Sequence, residues 1–398
     1  MFQFHAHSKE LADAVRKISI AIPPASQKGG NDGIKLALYK ESKKVPNDMG
    51  VLLAYDGKIQ AVSTMPIQDV SADEDMMEIH VSGRKMEAAA YAFAALDTIL
   101  EVTINKDVEI RCGNNKVTLQ QCQEIVALKN NLPPSFEITM DTNDFVDFIN
   151  FASCCHGEEK GSRGFHCVGI RVENGKISAM SSNGTRCAYA EIPNVKIRQV
   201  NKVAAKKANR EEKEVVQEEK ELPITVVLEG KQIKNAVKNL TKEKVTIGVD
   251  SKIFRIKCGT DVILILTQEI AYPMDALLQI LEKCQKTGAW KAQLNKVFQA
   301  LGIYEITMEK PWLKISKSGE GQISFQGKDE QTNAAVVCAQ EGEISTVVLN
   351  EKELKTSLSI FAKDQDIIVE TSSKALPVVI RQNEDDPNRI VVMPITED

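Results

Sequence analysis

Apolar residues recur at i, i+4 and i+7 in six separate stretches of the chain, the spacing of one buried helix face. The anchors are Leu11/Val15/Ile18, Met86/Ala90/Phe93, Phe145/Ile149/Ala152, Ile233/Val237/Leu240, Leu294/Phe298/Leu301 and Leu354/Leu358/Phe361. Ser8 and Asp141 are candidate N-caps for the first and third of these helices. Between them, apolar and polar residues alternate as in half-buried strands. YDGKIQAVST from Tyr55 has a near-copy in ENGKISAMSS from Glu173. Their Asp56-Gly57 and Asn174-Gly175 dipeptides predict hairpin turns.

A longer phrase occurs three times, starting at Ile79, Val226 and Val347. Each copy reads as a short apolar strand, a turn and a helix, followed by two paired strands. SKELADAVRKISI, DTNDFVDFINFAS and KAQLNKVFQAL read as helices that open each third of the chain. One unit of strands plus a helix, used twice per domain across three domains, explains the pattern. Repetition at so long a period means copied domains, not a short-repeat solenoid. The expected fold class is α+β, three similar domains each with two helices on antiparallel sheets. The expected boundaries are 1–131, 132–283 and 284–398, near Leu132-Pro133-Pro134 and after Tyr272-Pro273. Residues 203–221 are densely charged and read as an exposed insert in the middle domain.

The charge pattern adds a surface. Positions −2, +1 and +5 from each first anchor form one stripe, on which eight of eighteen residues are basic and one is acidic. Its cations are Lys9, Arg16, Arg84, Lys231, Lys234, Lys238, Lys352 and Lys355, with Lys85 beside them. Solvated helices are often lysine-rich. The functional alternative is a shared positive surface for phosphates, sequence-independent and salt-sensitive. Six Tyr and two Trp in 398 residues leave little for base stacking, so duplex backbone is the better partner. A net charge of −5 argues against a generally basic coat. With 43% hydrophobic and 26% charged residues, no apolar leader and no run long enough for a membrane span, a cytoplasmic protein is expected.

Candidate chemistry is sparse. Nine scattered cysteines without a CxxC pair indicate reduced thiols. Cys154-Cys155-His156 with His166-Cys167 fits no common zinc spacing, and buried thiols are preferred to a metal site or a catalytic thiol. The glycine-rich stretch 29–33 is too short for a phosphate loop. No catalytic residue, metal or cofactor is assigned, and no enzyme activity is expected.

Three short pieces carry a resemblance. Ser182-Asn183-Gly184-Thr185-Arg186-Cys187-Ala188 resembles the T-D-G-H-R-L-A segment of the bacterial DNA polymerase III beta subunit, the sliding clamp. Tyr272-Pro273-Met274-Asp275 resembles its F-P-D-Y segment, and Val391-Val392-Met393-Pro394-Ile395 its terminal V-V-M-P-M. The resemblance implies a head-to-tail homodimer closed as a six-domain ring, with helices lining a hole that encircles double-stranded DNA. It implies a non-enzymatic tether for the replicative polymerase. It further implies a pocket for short hydrophobic peptides from polymerase and clamp-loader subunits. Carried over by position, one side of that pocket is Cys167, Ser182, Gly184, Thr185, Arg186 and Cys187. The other is Pro273, Leu277, Leu278, Val391, Met393, Pro394 and Ile395. Thr185, Cys187 and Thr396 stand where the family has His, Leu and Arg, and the first-domain T-L-P-I-L segment has no counterpart near 27–38. A three-domain interaction scaffold that binds proteins but no DNA is the alternative.

Overall fold

In the computed structural model, alternation becomes strand and i, i+4, i+7 spacing becomes helix. It describes residues 1–23, 32–41, 47–128, 134–158, 164–173, 175–199, 223–250, 252–305, 312–327, 333–373 and 376–395. The first stretch of chain forms β1 (Phe2–His7), α1 (Ser8–Ile18), β2 (Gly33–Tyr39), β3 (Met49–Tyr55), β4 (Ile59–Pro66), β5 (Gln68–Ala72), β6 (Met76–Ser82), α2 (Gly83–Ala94), β7 (Ile99–Ile104), β8 (Val108–Cys112) and β9 (Asn115–Leu119). Next come β10 (Phe136–Asp141), α3 (Thr142–Ala152), β11 (Cys167–Glu173), β12 (Lys176–Ser182), β13 (Arg186–Pro193), β14 (Ile197–Gln199), β15 (Ile224–Glu229), α4 (Gly230–Val237), β16 (Lys244–Asp250), β17 (Ile253–Cys258), β18 (Asp261–Leu266) and α5 (Met274–Lys283). The last stretch forms β19 (Gly288–Gln293), α6 (Leu294–Glu305), β20 (Trp312–Gly319), β21 (Gln322–Gln326), β22 (Asn333–Val337), β23 (Ala339–Gly342), β24 (Val347–Asn350), α7 (Glu351–Leu358), β25 (Asp366–Thr371), β26 (Val378–Arg381) and β27 (Arg389–Val392).

The threefold phrase is visible as β6-α2-β7-β8, β15-α4-β16-β17 and β24-α7-β25-β26. The opening helices follow β1, β10 and β19. The turn expected before α2, α4 and α7 is absent, and all six repeat helices begin at the residue after a strand ends. An N-cap residue has extended backbone, so the last strand residue is the cap. Asn350 does this with its side chain, accepting from Lys352 N at 3.0 Å and Glu353 N at 3.3 Å. For α1 the cap is His7, not Ser8, and the Ser8 hydroxyl accepts from Thr98 N at 3.0 Å instead. A seventh helix, α5, lies in the stretch read from sequence as a junction, so residues 132–283 carry three helices among those described.

The chain divides into two compact units, Met1–Phe145 with Lys196–Lys220 and Asn235–Thr267, and Val146–Val195 with Glu221–Lys234 and Gln268–Asp398. In the first, a nine-stranded antiparallel sheet runs β14-β10-β16-β17-β18-β4-β3-β2-β6, beside a five-stranded sheet β5-β1-β7-β8-β9. Pairing of β18 with β4, from Val262↔Val62 to Ile265↔Ile59, makes one sheet of strands far apart in sequence. α1 packs on α2, and Leu11, Val15, Ile18, Met86, Ala90 and Phe93 are buried. The second unit repeats the plan, with a nine-stranded sheet β15-β11-β12-β13-β27-β26-β25-β19-β23 and a four-stranded sheet β22-β21-β20-β24. Its core holds Trp290, Leu294, Leu301, Tyr304, Phe325, Leu354 and Leu358, with Trp290 edge-on to Phe325 at 6.1 Å. Leu240 and Phe361 lie beyond their helices, because α4 and α7 are only 8 residues long. The Asp56-Gly57 hairpin forms as read, with Gly57 at φ +97°. Residue 174 and the charged insert at 203–221 lie outside the described residues, as do 24–31 of the glycine-rich loop region and the stretch 129–133 around the first boundary. No helix among the described residues is long and apolar enough to cross a membrane.

One ion network fastens α1 to β18. Lys17 Nζ lies 2.9 Å from Asp13 and 3.0 Å from Asp261, whose other oxygen accepts the Ser63 hydroxyl at 2.7 Å. Burial lowers the affinity of Lys17 for its proton, yet the two carboxylates outweigh it and push the ammonium above its ordinary value. Burial likewise opposes ionisation of Asp13, but Lys17 and Arg16 hold its carboxyl below the usual range. Stability from the pair is therefore present between the ordinary carboxylate value of 3.8 and the ordinary ammonium value of 10.5. It is lost as pH falls through the lowered acid value or rises through the raised base value. Lys17→Met should cost about 1–3 kcal/mol near neutral pH by leaving Asp261 without its cation. Urea unfolding followed by circular dichroism at pH 7 and pH 3 checks this. The difference from wild type should shrink at pH 3, and an equal loss at both values would refute the network.

Candidate functional site

The site grows from a turn. Between β12 and β13, Asn183 Oδ1 accepts from Thr185 N at 3.0 Å, Thr185 Oγ1 at 2.9 Å and Arg186 N at 2.9 Å. Ser182 Oγ donates to the Arg186 carbonyl at 2.9 Å and accepts from Gly184 N at 3.1 Å. Gly184 sits at φ +94°, where a side chain would be strained. Glu353, on α7, locks the turn from outside. Its Oε2 accepts from Asn183 Nδ2 at 3.1 Å and lies 2.9 Å from Arg186 Nε.

The C-terminal segment joins next. β13 pairs with β27 as Arg186↔Val392 and Cys187↔Val391, and Met393 N donates to the Thr185 carbonyl at 2.8 Å. Ile395 N then donates to the Val348 carbonyl at 2.8 Å, tying the segment to β24. Last comes α5, entered through the Tyr272-Pro273 stretch. Arg171 of β11 pairs with Asp275 in its first turn at 2.7 Å. Its apolar side supplies Met274 and Leu281 to a buried cluster with Met180, Cys187 and Val391. Tyr189, Tyr272, Leu277 and Leu278 pack on that cluster partly exposed. The Tyr272 ring lies flat on Gly169, where a Cβ would come within 2.6 Å of Cδ1.

The carried-over residues thus separate by depth. Cys187 and Val391 form the floor, Leu277 and Leu278 are half-buried, and Met393 is 38% exposed at the edge. Pro273 is exposed, with Pro394 and Ile395 half-buried. Cys167 is fully buried at the start of β11. Ser182 is buried with its hydroxyl engaged in the turn, and the Arg186 side chain, only 11% exposed, is held by Glu353. These three shape the site without presenting groups to it. Sequence reading missed Met180, Tyr189, Met274 and Leu281. The spacing of Met274, Leu277, Leu278 and Leu281 was the available signal, since it is that of an amphipathic helix. Burial raises the Cys187 thiol to about 12, so it remains a small neutral group. Burial pushes the Tyr272 phenol up as well.

The cationic stripe is less uniform than its sequence. Lys85, Lys231 and Lys352 are exposed, and Lys234 is half-buried. Lys238 lies just past α4 and donates to Asn235 Oδ1 at 3.0 Å. Lys9 pairs with Asp97, Arg16 with Asp13 and Lys355 with Glu305, while Arg84 donates to the Pro23 carbonyl at 2.9 Å. Acids outside the stripe therefore reach three of its cations. In the first unit a cavity of about 570 Å³ is lined by Arg198, Lys242, Lys244 and Lys257 together with Glu137 and Glu243, a mixture without one sign. Among the described residues no group of three His, Cys, Asp or Glu is placed to hold a metal ion.

No family model matches this chain, and no curated protein matches it. Solved structures do. The DNA polymerase III beta subunit of Thermotoga maritima is 14% identical with a TM-score of 0.77, and all of both chains is covered. The DNA polymerase sliding clamp of Bacillus subtilis is 15% identical with a TM-score of 0.79, again over all of both chains. The Helicobacter pylori beta clamp bound to a DNA ligase peptide is 14% identical with a TM-score of 0.76, covering 99% of this chain and 100% of that one. The chain therefore has the fold of bacterial sliding clamps along its whole length.

Glu353 reaches both Asn183 and Arg186 from outside the turn. Glu353→Ala should leave the guanidinium of Arg186 short of a partner and cost about 1–3 kcal/mol. Amide exchange at Thr185 and Arg186 should quicken more than in the core strands. Unchanged exchange there would show that Asn183 and Ser182 hold the turn alone.

Proposed function

We propose that this protein is a DNA sliding clamp, a non-enzymatic processivity factor that encircles duplex DNA and tethers the replicative polymerase. The observation that carries the reading is convergence. Three stretches distant in sequence, Ser182–Cys187, Tyr272–Leu281 and Val391–Ile395, meet on one apolar cluster in a chain with the clamp fold throughout. A cluster with a buried floor and a half-buried rim suits one Leu or Phe of a short peptide, at about 1.5–3 kcal/mol for each anchor fully buried. The ligase peptide carried by the Helicobacter pylori clamp supports peptides as the partner class. On this reading the chain is three clamp domains, 1–131, 132–283 and 284–398, that pair head to tail with a second copy in the cytoplasm. Lys9, Arg16, Arg84, Lys85, Lys231, Lys234, Lys238, Lys352 and Lys355 face the DNA, where contacts to phosphates hold without reading bases. No cofactor or metal takes part.

The alternative, a protein-binding scaffold without DNA, gains from the partners that Lys9, Arg16, Arg84 and Lys355 already have within the chain. Loading onto nicked circular DNA by a clamp loader with ATP separates the two. A clamp stays on the circle and leaves when it is linearised, whereas a scaffold is never retained. Replacing Lys231, Lys234 and Lys238 together by Glu should lower retention about tenfold or more, because exposed phosphate contacts act additively with salt-sensitive strength. Full retention would remove these lysines from the DNA-facing set. For the pocket, Met393→Asp places a charge at the apolar rim. It should weaken a polymerase-derived Leu/Phe peptide at least about tenfold, or roughly 1.4 kcal/mol, in calorimetry. Molar mass by light scattering should be unchanged, and equal affinity would reject the site.

A further inference from the structure

Behind the turn lies a second set of reactive groups. α3 ends at Ala152, and Ser153-Cys154-Cys155 turn back toward β12. The two sulfurs stand 3.6 Å apart, Cys154 half-buried and Cys155 fully buried. Cys155 N donates to Ser181 Oγ at 3.2 Å, one residue before the turn begins. Two residues on, Gly157 lies against the turn itself. A Cβ there would be 3.4 Å from the Asn183 Cβ and 3.6 Å from the Phe165 Cβ. Gly157 N also donates to the Phe165 carbonyl at 2.7 Å, and the Phe165 ring stands 3.3 Å from where a Gly184 Cβ would be. The dithiol and the turn therefore share one packed wall.

We infer that Cys154 and Cys155 form a redox-active dithiol, and that its oxidation to a disulfide by a small-molecule disulfide of the glutathione class loosens the Asn183–Arg186 turn and so weakens peptide binding. This rests on the peptide reading above. The direction of attack follows from the environment. The hydrogen bond from Cys155 favours the Cys154 thiolate, burial opposes it, and the cations of Arg186 and Lys234 add to the favourable side, leaving it below its ordinary value. Cys155 is held well above its own by the same contact and by burial. Cys154 is thus the nucleophile and Cys155 the resolving thiol. The Cys154 thiolate attacks one sulfur of the oxidant, forming a mixed disulfide and releasing one small thiolate. Cys155 gives its proton to that thiolate and attacks the Cys154 sulfur, releasing the second small thiolate and closing the Cys154–Cys155 bond. The protein loses two electrons and two protons, and the oxidant becomes two thiols.

The bond cannot close without moving the wall. Consecutive Cα atoms stand about 3.8 Å apart, below the roughly 4.4–6.8 Å that disulfides usually span. The turn after α3 must re-form, which displaces the Cys155 amide from Ser181 and Gly157 from Asn183. A bond made under such constraint is also easily reduced, as suits a reversible control and not a structural staple.

The full-length protein is incubated with oxidised glutathione and compared with protein kept in dithiothreitol. Peptide mapping by mass spectrometry should find the Cys154–Cys155 disulfide. Affinity for a Leu/Phe-containing peptide, by fluorescence anisotropy, should fall about tenfold and return on reduction. Cys154→Ser should keep the reduced affinity and lose the response, with Cys112→Ser, at the end of β8 in the first unit, as a control that retains the response. Exchange of the Thr185 and Arg186 amides is read in the same samples. Faster exchange only in the oxidised form supports the inference even if reduced protein binds no peptide, an outcome that would overturn the peptide reading alone. The inference itself fails if Cys154 is only glutathionylated, or if the disulfide forms while affinity and exchange stay as they were.

Discussion

The pairing of β13 with β27 is the constraint on which the site depends. Side chains alternate across a strand, so register decides which residues face which way. Ala188, Ile390 and Val392 turn to the large core under α6 and α7, whereas Cys187, Tyr189 and Val391 turn to α5. A slip of one residue would exchange those two sets, carrying Val392 into the site and Val391 into the core. The register is fixed at its open end by a bond that is not part of the ladder, Met393 N to the Thr185 carbonyl. The buried partners of Ala188 and Ile390 fix it on the other face. The same logic holds for β18 and β4 in the first unit, where Lys17, Asp261 and Ser63 add an ionic pin.

Polar and apolar contributions divide the labour within the site. Burial of Met180, Cys187, Met274, Leu281 and Val391 supplies the attraction that keeps α5 on the sheet. A helix of 10 residues is marginal in water by itself, so α5 exists because of that face. Polar groups supply position. Asn183 and Ser182 turn their side chains on the turn's own backbone, and Glu353 joins Asn183 to Arg186 from outside. The Arg186 side chain, the most conspicuous charge in the motif, is a strut.

Much of this was legible in the sequence, and the failures have physical causes. The six amphipathic helices, the threefold strand-helix-strand-strand phrase and the Asp56-Gly57 hairpin follow from local periodicity and turn chemistry, and tertiary packing agreed with them. The cap at Ser8 failed because the preceding strand residue, His7, already has the extended backbone a cap needs. α5 was passed over because Tyr272-Pro273 reads as a break, although the apolar spacing after it was helical. The roles of Cys167, Ser182 and Arg186 were beyond sequence, since depth in a sheet depends on strands that pair from afar. The cationic stripe shows the same limit: Asp97 and Glu305 reach Lys9 and Lys355 from outside the pattern that singled those lysines out.

The apolar cluster divides into floor and rim, and the two answer to different constraints. Floor residues such as Cys187 and Val391 are fixed by both the sheet register and α5, so a change there alters fold and site together. Cys187 is small and, held to about 12, neutral at any physiological pH, so it deepens the cluster without adding charge. Rim residues answer to fewer constraints. Met393 touches the turn through its backbone and presents its flexible side chain outward, and Leu277 and Leu278 lie half-buried at the edge of the apolar face of α5. The floor is thus set by the fold, and the rim is freer to vary. Thr185 and Cys187, two of the positions where this chain departs from the clamp motif, fall one on the turn and one on the floor. The floor thus carries a thiol where the motif has Leu, and the turn a hydroxyl where it has His.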